Sequence, residues 1–275
     1  MFKYMKYELK GTYKFILGVL ALVFVLLTGM YAYSTRADSL FHSVDLFMPI
    51  GVILLFGAAL TAFLYIVGSF RKELYEDSGY LTFTLPLTGN QILGSKLIAA
   101  LFWFMVLGIS VALYNFIMVL IFSPFDLNLS KLFSAISQGI SIKASFYMIL
   151  SMACSGVSVL LLIYFSMTLS KVTFRNKKIG GVWFVIFVIL SGVLGYMDLE
   201  ISRLIPYYLD LNTFHVQTPD LHNDLFQVQH QNNGLTLGIS SGFAVTNIAS
   251  FVYNFVLMIA LFLGTGYLIE KKINL

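Results

Sequence analysis

Six long stretches without a charged residue divide the chain, and polar segments separate them. They cover residues 15–33, 46–70, 97–122, 144–170, 179–197 and 245–269. About 20 apolar residues in a helix cross a hydrocarbon core of about 30 Å. Because a bilayer offers the backbone no hydrogen-bond partner, each stretch is expected to be helical. The pattern predicts an all-α integral membrane protein with six transmembrane helices, forming a single domain over residues 1–275.

Composition leads to the same class of protein. Hydrophobic residues make up 59% of the chain and charged residues 11%, and the mean hydropathy is +0.86. Soluble domains contain about 25% charged residues, so this chain cannot cover itself with a polar surface. The single cysteine, Cys154, lies in the fourth span and excludes an intrachain disulfide bond.

The basic residues indicate the orientation in the membrane. Thirteen of the seventeen Lys and Arg residues fall on the side that carries both termini. The positive-inside rule places this side in the cytosol, which predicts a multi-pass protein of the plasma membrane with cytosolic N and C termini. The net charge of +4 is then a consequence of topology and gives no indication of nucleic-acid binding.

Residues 1–13 have an amphipathic pattern at helical spacing. Lys3, Lys6 and Lys10 share one stripe, next to an apolar stripe of Phe2, Met5 and Leu9. The pattern predicts an interfacial helix on the inner leaflet before the first span. The alternative is an ordinary basic flank that forms no helix. The first span has 19 residues and exceeds a signal-peptide core, so it is expected to be a retained anchor.

Two segments outside the spans are large enough to interact with partners. The loop at residues 71–96, on the cytosolic side, is rich in charged and turn-forming residues, and the external loop at residues 198–244 is rich in Asn, Gln, His and Asp. The spans carry no ionisable residue near their centres, where ion-coupled transporters place theirs. A transport function would therefore need an energy source outside this chain.

Three motif matches are rejected. The G-x-S-x-G pattern around Ser240 lies between a polar loop and a span, without the strand-to-helix turn of a hydrolase. The P-loop-like run that ends at Lys96 has Gly-Ser-Lys in place of Gly-Lys-Ser/Thr. A metal could be held by His and Asp side chains of the external loop, but their spacing fits no closed site. These residues are His215, Asp220, His222, Asp224 and His230.

The loop at residues 71–96 resembles the loop between the second and third spans of ABC-2-type permeases, the membrane subunits of bacterial ATP-binding-cassette exporters. In that family an acidic residue, Gly-Tyr-Leu, a Thr/Phe pair and Leu-Pro precede a lysine at the start of the third span. The matching residues here are Glu76, Gly79, Tyr80, Leu81, Thr82, Phe83, Leu85, Pro86, Ile92, Leu93, Ser95 and Lys96. Within the family, the chain is similar to permeases of peptide exporters and immunity systems, including the exporters of phenol-soluble modulins.

The resemblance implies how the chain would work. Such permeases dimerise as homodimers or paralogous heterodimers, and each docks a separate ATPase through a coupling helix in this loop. ATP and Mg²⁺ are then bound by the partner, so this chain needs no cofactor or metal and is not itself an enzyme. The implied ATPase-coupling residues are Arg71, Lys72, Glu73, Leu74, Tyr75, Glu76, Asp77, Gly79, Tyr80, Leu81, Leu85 and Pro86.

The sequence thus favours the permease subunit of an ATP-driven exporter for an amphipathic or hydrophobic cargo, such as a peptide or a lipid-like molecule. The 16% aromatic content agrees with such a cargo. One alternative is a membrane sensor or immunity subunit that docks the same ATPase without bulk transport. A second is a membrane-embedded hydrolase or metal-dependent enzyme built on Ser240 or the histidine-rich loop.

Overall fold

Six long α-helices account for most of the protein. The computed structural model describes residues 2–34, 43–76, 86–122, 142–174, 181–210, 215–217, 227–231, 234–238 and 245–272. The helices are α1 (Phe2–Ser34), α2 (Ser43–Tyr75), α3 (Gly89–Phe122), α4 (Ile142–Thr173), α5 (Val182–Leu204) and α6 (Ile248–Lys271). All six are long and apolar enough to cross a membrane. The prediction of a six-span, predominantly α-helical membrane protein is confirmed to this extent.

The helices extend beyond the charge-free stretches from which they were predicted. Helix α2 continues through Arg71 to Tyr75, and α3 begins at Gly89, seven residues before Lys96. Only residues 76–88 of the predicted loop at 71–96 therefore lie between two helices. Charged and polar residues end the apolar stretch, but they do not end a helix, because Lys, Glu and Arg are good helix formers.

The N-terminal residues also differ from the sequence-based expectation. Residues 1–13 were expected to form a separate interfacial helix, whereas α1 runs without interruption from Phe2 to Ser34. Tyr4 and Glu8 are hydrogen-bonded to residues of α2, and Thr12 accepts a hydrogen bond from Trp103 of α3. These contacts hold the first three turns of α1 against α2 and α3.

The chain divides into two compact units. The first comprises Met1–Leu129, Ile163–Ile179 and Phe262–Leu275, and the second comprises Ser130–Leu162 and Gly180–Leu261. In the first unit, α1 packs along α2 and α3. Polar side chains join α1 to α3: Tyr114 Oη donates to the carbonyl of Phe24 at 3.1 Å, and Tyr31 Oη donates to Asn115 Oδ1 at 3.3 Å. Such bonds hold helices together in lipid, where apolar surface gives no net driving force for association.

The second unit adds two small antiparallel sheets to an otherwise helical fold. Strands β1 (Tyr208–Asp210), β2 (Val216–Gln217) and β5 (Val245–Asn247) form one sheet in the order β2-β1-β5, and β3 (Gln227–Gln231) pairs with β4 (Gly234–Gly238). Strand β5 leads directly into α6, where Asn247 Oδ1 accepts the backbone N–H of Ser250 at 2.9 Å. This bond is an N-cap of the usual kind. The predicted external loop at residues 198–244 thus begins inside α5.

Candidate functional site

Lys96 is the most deeply buried charged residue among those described. It lies two turns into α3, on the face that also carries the buried Leu93 and Ala100, and only 3% of its surface is exposed. An ammonium group removed from water is tolerated only when it is paired and hydrogen-bonded. The surroundings of Lys96 therefore define the site.

Two glutamates from two other helices pair with this lysine. Lys96 Nζ lies 3.0 Å from Glu8 Oε1 of α1 and 2.8 Å from Glu73 Oε1 of α2. Ser69 Oγ donates to Glu8 Oε1 at 2.9 Å, and Tyr4 Oη donates to Glu73 Oε2 at 3.0 Å. We refer to Tyr4, Glu8, Ser69, Glu73 and Lys96 as the Lys96 cluster. It joins the N-terminal turns of α1 and α3 to the C-terminal turns of α2.

Aromatic rings connect the Lys96 cluster to the C-terminal end of α4. Lys96 Nζ lies 5.9 Å from the centre of the Phe70 ring, and this ring packs on Tyr164 with 4.2 Å between centroids. One turn beyond Phe70, Tyr75 Oη donates to the carbonyl oxygen of Met167 at 3.1 Å. Both sides of these contacts belong to the first unit. The last two turns of α2 are therefore fixed to α4 as well as to α1 and α3.

The start of α3 is fixed to the end of α6. The backbone N–H of Gly89 points to Glu270 Oε2 at 3.4 Å, so a carboxylate from α6 lies at the N-terminus of α3, where it is favourable. The backbones are so close that a Cβ at Gly89 would collide with the carbonyl oxygen of Gly266, and a Cβ at Gly266 would collide with Asn90. Glycine is required at position 89, where a side chain would meet the backbone, and at position 266 a side chain would force Asn90 to move.

A cleft of about 570 Å³ opens between α1 and α2 beside the Lys96 cluster. Its lining includes the carboxylates of Glu8 and Glu73, and two glycines, Gly11 and Gly68, face it. A Cβ built at either glycine meets nothing within 4 Å, so the cleft exists in part because these two positions lack side chains. Its volume lies in the range of small-molecule sites.

The structure separates the expected coupling residues into three groups. Arg71, Lys72 and Glu76 are exposed at the end of α2, and Pro86 is exposed before α3. Glu73, Leu74 and Tyr75 are directed into the protein instead: Glu73 pairs with Lys96, Leu74 is 2% exposed, and Tyr75 bonds to Met167. In this structure these three side chains make contacts within the chain. Asp77, Gly79, Tyr80, Leu81 and Leu85 lie outside the described residues.

The other candidate residues are only partly described. Lys6 and Lys10 are exposed on α1, as a role at the membrane surface requires, and the backbone of Lys3 lies in the first turn of the same helix. His215 is exposed, whereas Asp220, His222, Asp224 and Ser240 lie outside the described residues. The part of the chain that the structure describes contains no group of three or more metal-binding side chains.

Sequence reasoning missed the internal role of Glu8 and Glu73. Lys96 was identified only as part of a motif, and Glu8 was given no role. One signal was present: Glu8 is the only acidic residue among the first 37, and it stands between the basic residues Lys6 and Lys10 at a position that continues into the first span. A lone acid at a membrane boundary suggests a buried partner.

Comparisons of the chain with protein-family models, with curated proteins and with solved structures give no significant match. Its function must therefore be argued from the site.

Proposed function

We propose that this chain is the permease subunit of an ATP-driven bacterial exporter of the ABC-2 type. In this proposal it lies in the plasma membrane with both termini in the cytosol and associates with a second permease copy. A separate ATPase docks on the segment between α2 and α3, and ATP hydrolysis there moves an amphipathic or hydrophobic cargo outward.

One observation carries the proposal: the segment at residues 76–88 has a rigid base. The pair between Glu73 and Lys96 joins the helix that precedes this segment to the helix that follows it. Through Glu8, Met167 and Glu270 the same helix ends are bonded to α1, α4 and α6. A movement of residues 76–88 would therefore displace the bonded ends of α1, α2, α3, α4 and α6 together. Coupling between an ATPase and a membrane domain requires such a concerted movement.

The exposed residues at the end of α2 suit a protein partner. Arg71, Lys72 and Glu76 present charges of both signs, and charges at the rim of an interface chiefly direct association and set its salt dependence. Leu74 and Glu73 are occupied within the chain, so we assign the docking contacts to the exposed charges and to residues of the segment 77–85.

The apolar spans support the choice of cargo and of energy source. The charge-free stretches of α1, α2 and α3 offer no ionisable group with which an ion gradient could be coupled. Large apolar side chains such as Phe56, Leu113 and Phe255 are exposed on the helices. The apolar part of an amphipathic molecule could contact such side chains. These features favour a partner ATPase over ion coupling and a hydrophobic cargo over a sugar or an ion.

Detergent pull-down of a candidate ATP-binding-cassette ATPase co-expressed with this chain tests the proposal. Charge reversal by Arg71→Glu and Glu76→Lys should weaken its recovery in a salt-sensitive manner, and Tyr80→Ala should reduce it further if the ring anchors the interface. Lys10→Glu reverses an exposed charge on α1 and serves as the matched control. Full recovery with all three variants would place docking elsewhere, for example at residues 171–178, and would overturn the coupling role of this segment.

A further inference from the structure

Two lysines at the outer edge of the cleft between α1 and α2 have no carboxylate partner among the described residues. Lys72 lines the cleft, and Lys14 lies one turn after Gly11 on the same side of α1. Both lysines are exposed, and the ion pairs of the described residues all belong to Lys96. Lys14 and Lys72 are therefore available to a ligand.

The lining of the cleft is neutral, so the residues around it decide which charge it attracts. Glu8 and Glu73 are bonded to Lys96, and with Lys72 these four charges cancel. The other exposed charged residues within three positions of the lining carry an excess of three positive charges. They are Lys6, Lys10, Lys14, Arg71 and Glu76. The field at the outer edge of the cleft therefore favours an anion.

Helices α1 and α2 are antiparallel, because residues later in α1 contact residues earlier in α2. The contacts are those of Tyr4 with Glu73, Glu8 with Ser69 and Phe15 with Tyr65. Side chains of a helix lean toward its N-terminus. Lys14 therefore leans back along α1 toward Gly11, and Lys72 leans back along α2 toward Gly68. The two ammonium groups approach one level, where a single anion can contact both.

This level coincides with the boundary of the apolar spans. Lys14 immediately precedes the charge-free stretch of α1, and Lys72 lies two residues after that of α2. On the apolar side of the boundary, Leu17 is 49% exposed and Leu64, which lines the cleft, is 58% exposed. A ligand at this place meets cations at one end and apolar side chains at the other. A phospholipid of the surrounding bilayer has the matching division into a headgroup and acyl chains.

We infer that the outer edge of this cleft binds an anionic phospholipid, with its phosphate between Lys14 and Lys72. One acyl chain then lies along Leu17 and Leu64. Tyr7 lines the cleft and is 74% exposed, so its hydroxyl can donate to the same phosphate. The lipid is a bound component of the bilayer and not the exported cargo. The inference thus goes beyond the proposed function and does not depend on it.

Binding is measured on the purified chain in detergent, without an ATPase. The chain has two Trp residues, and Trp103 bonds to Thr12, which lines the cleft. In a Trp183→Phe background, phosphatidylglycerol with brominated acyl chains should quench Trp103 fluorescence in a saturable manner. Phosphatidylcholine with the same chains is zwitterionic and should give only the linear quenching of partition into the micelle. Equal saturable quenching by both lipids would overturn selection of an anion.

Glycerol 3-phosphate distinguishes a lipid site from a site for free phosphate. It carries a phosphate group without acyl chains. Added at the same concentration as the brominated phosphatidylglycerol, it should leave the saturable quenching unchanged. Displacement of the lipid would mean that the phosphate alone is recognised, and it would overturn the phospholipid as the ligand.

Charge variants test the two lysines. Lys14→Gln and Lys72→Gln should each weaken binding of brominated phosphatidylglycerol by about two- to fivefold, the range for exposed charges. The double variant should no longer distinguish this lipid from phosphatidylcholine. Lys271→Gln removes an exposed charge at the end of α6 and should leave binding unchanged. Wild-type affinity in the double variant, or an equal loss in Lys271→Gln, would overturn the site.

A glycine substitution tests the location without changing a charge. Gly68→Leu places a side chain in the open space of the cleft and should reduce the saturable quenching. Gly108→Leu makes the same change in open space on α3 and should leave it unchanged. Thermal denaturation in detergent checks that both variants are folded. Quenching of wild-type strength in Gly68→Leu would place the lipid elsewhere.

Discussion

Glu73 and Lys96 stand on opposite sides of the segment proposed to dock the ATPase, and their charged groups lie 2.8 Å apart. The pair is shielded from solvent, with 2% of the Lys96 side chain and 16% of the Glu73 side chain exposed. Its removal should therefore change the stability of the helix ends more than the loss of a surface ion pair would.

Lys96→Met should destabilise the protein strongly, because it leaves Glu8 and Glu73 facing each other without a cation. Loss of one partner of a buried ion pair costs about 3 kcal/mol or more. Thermal denaturation in detergent measures the effect, with Lys72→Met as the control, since Lys72 is exposed on the same helix as Glu73. Replacing all three charges by Glu8→Gln, Glu73→Gln and Lys96→Met should recover much of the loss. A single Lys96→Met variant as stable as the wild type would contradict the cluster.

Gly89→Ala should lower the thermal stability by more than Gly266→Ala does. The new methyl group at Gly89 meets a backbone carbonyl, which cannot move aside, whereas at Gly266 it meets the amide end of Asn90, which can rotate. Overpacking of this kind costs about 1–3 kcal/mol. Gly108→Ala, in open space on α3, is the control for helix propensity and should be neutral or stabilising. The reverse order of the two variants would mean that α3 and α6 do not cross at these residues.

Asp198→Ala should loosen α5 from the first turns of α6. Asp198 Oδ1 accepts hydrogen bonds from Ser250 Oγ at 2.6 Å and from Asn254 Nδ2 at 3.2 Å, so its loss removes a shared acceptor from two side chains of α6. Faster hydrogen exchange in residues 248–254 is the expected observation, and Asp198→Asn should have a smaller effect because it keeps the acceptor oxygen. Glu200→Ala, on the same helix, should leave exchange unchanged. Equal effects of the Asp198 and Glu200 variants would count against the network.

Tags at Lys3 and Leu275 should both be accessible only from the cytosol. In a Cys154→Ala background, a cysteine introduced at Asn223 should react with an impermeant reagent added outside intact cells. The expectation follows from the excess of Lys and Arg on the side of the termini. Labelling of Asn223 only after the membrane is opened would reverse the orientation and place the Lys96 cluster on the outside.

Replacing His215, His222 and His230 together by alanine should leave transport and partner ATPase turnover nearly unchanged. These side chains have no spacing typical of a metal site, and chelators should likewise have no effect. A metal-dependent function of the external loop would be favoured by two results together. The triple variant would lose activity, and added zinc would restore the activity of the chelator-treated wild type but not that of the variant.

The six spans could be predicted because the hydrocarbon core excludes charge over a fixed length. The stretch at 46–70, for example, lies wholly inside α2. The helix ends could not be predicted from the same rule. Arg71, Lys72 and Glu73 leave the apolar stretch, yet they continue the helix, because the backbone satisfies its own hydrogen bonds whether or not lipid surrounds it.

The Lys96 cluster could be predicted only in part. The motif in the loop at residues 71–96 drew attention to Glu73 and Lys96, which are 23 positions apart. Glu8 is 88 positions from Lys96, and no local periodicity connects the two. Their pairing results from the packing of α1 against α3, so it becomes visible only once both helices are placed.

The pairing of β1 with β5 has a consequence for the length of the chain between them. Asp210 lies opposite Val245, and Tyr208 lies opposite Asn247, so the polypeptide departs and returns at neighbouring points of one sheet. An insertion or deletion between residues 218 and 244, beyond β2, therefore leaves both anchor points in place. Doubling the length of a flexible loop adds only about 0.6 kcal/mol of closure entropy. This stretch can accordingly be shortened, extended or exchanged for a foreign epitope while α5 and α6 keep their connection.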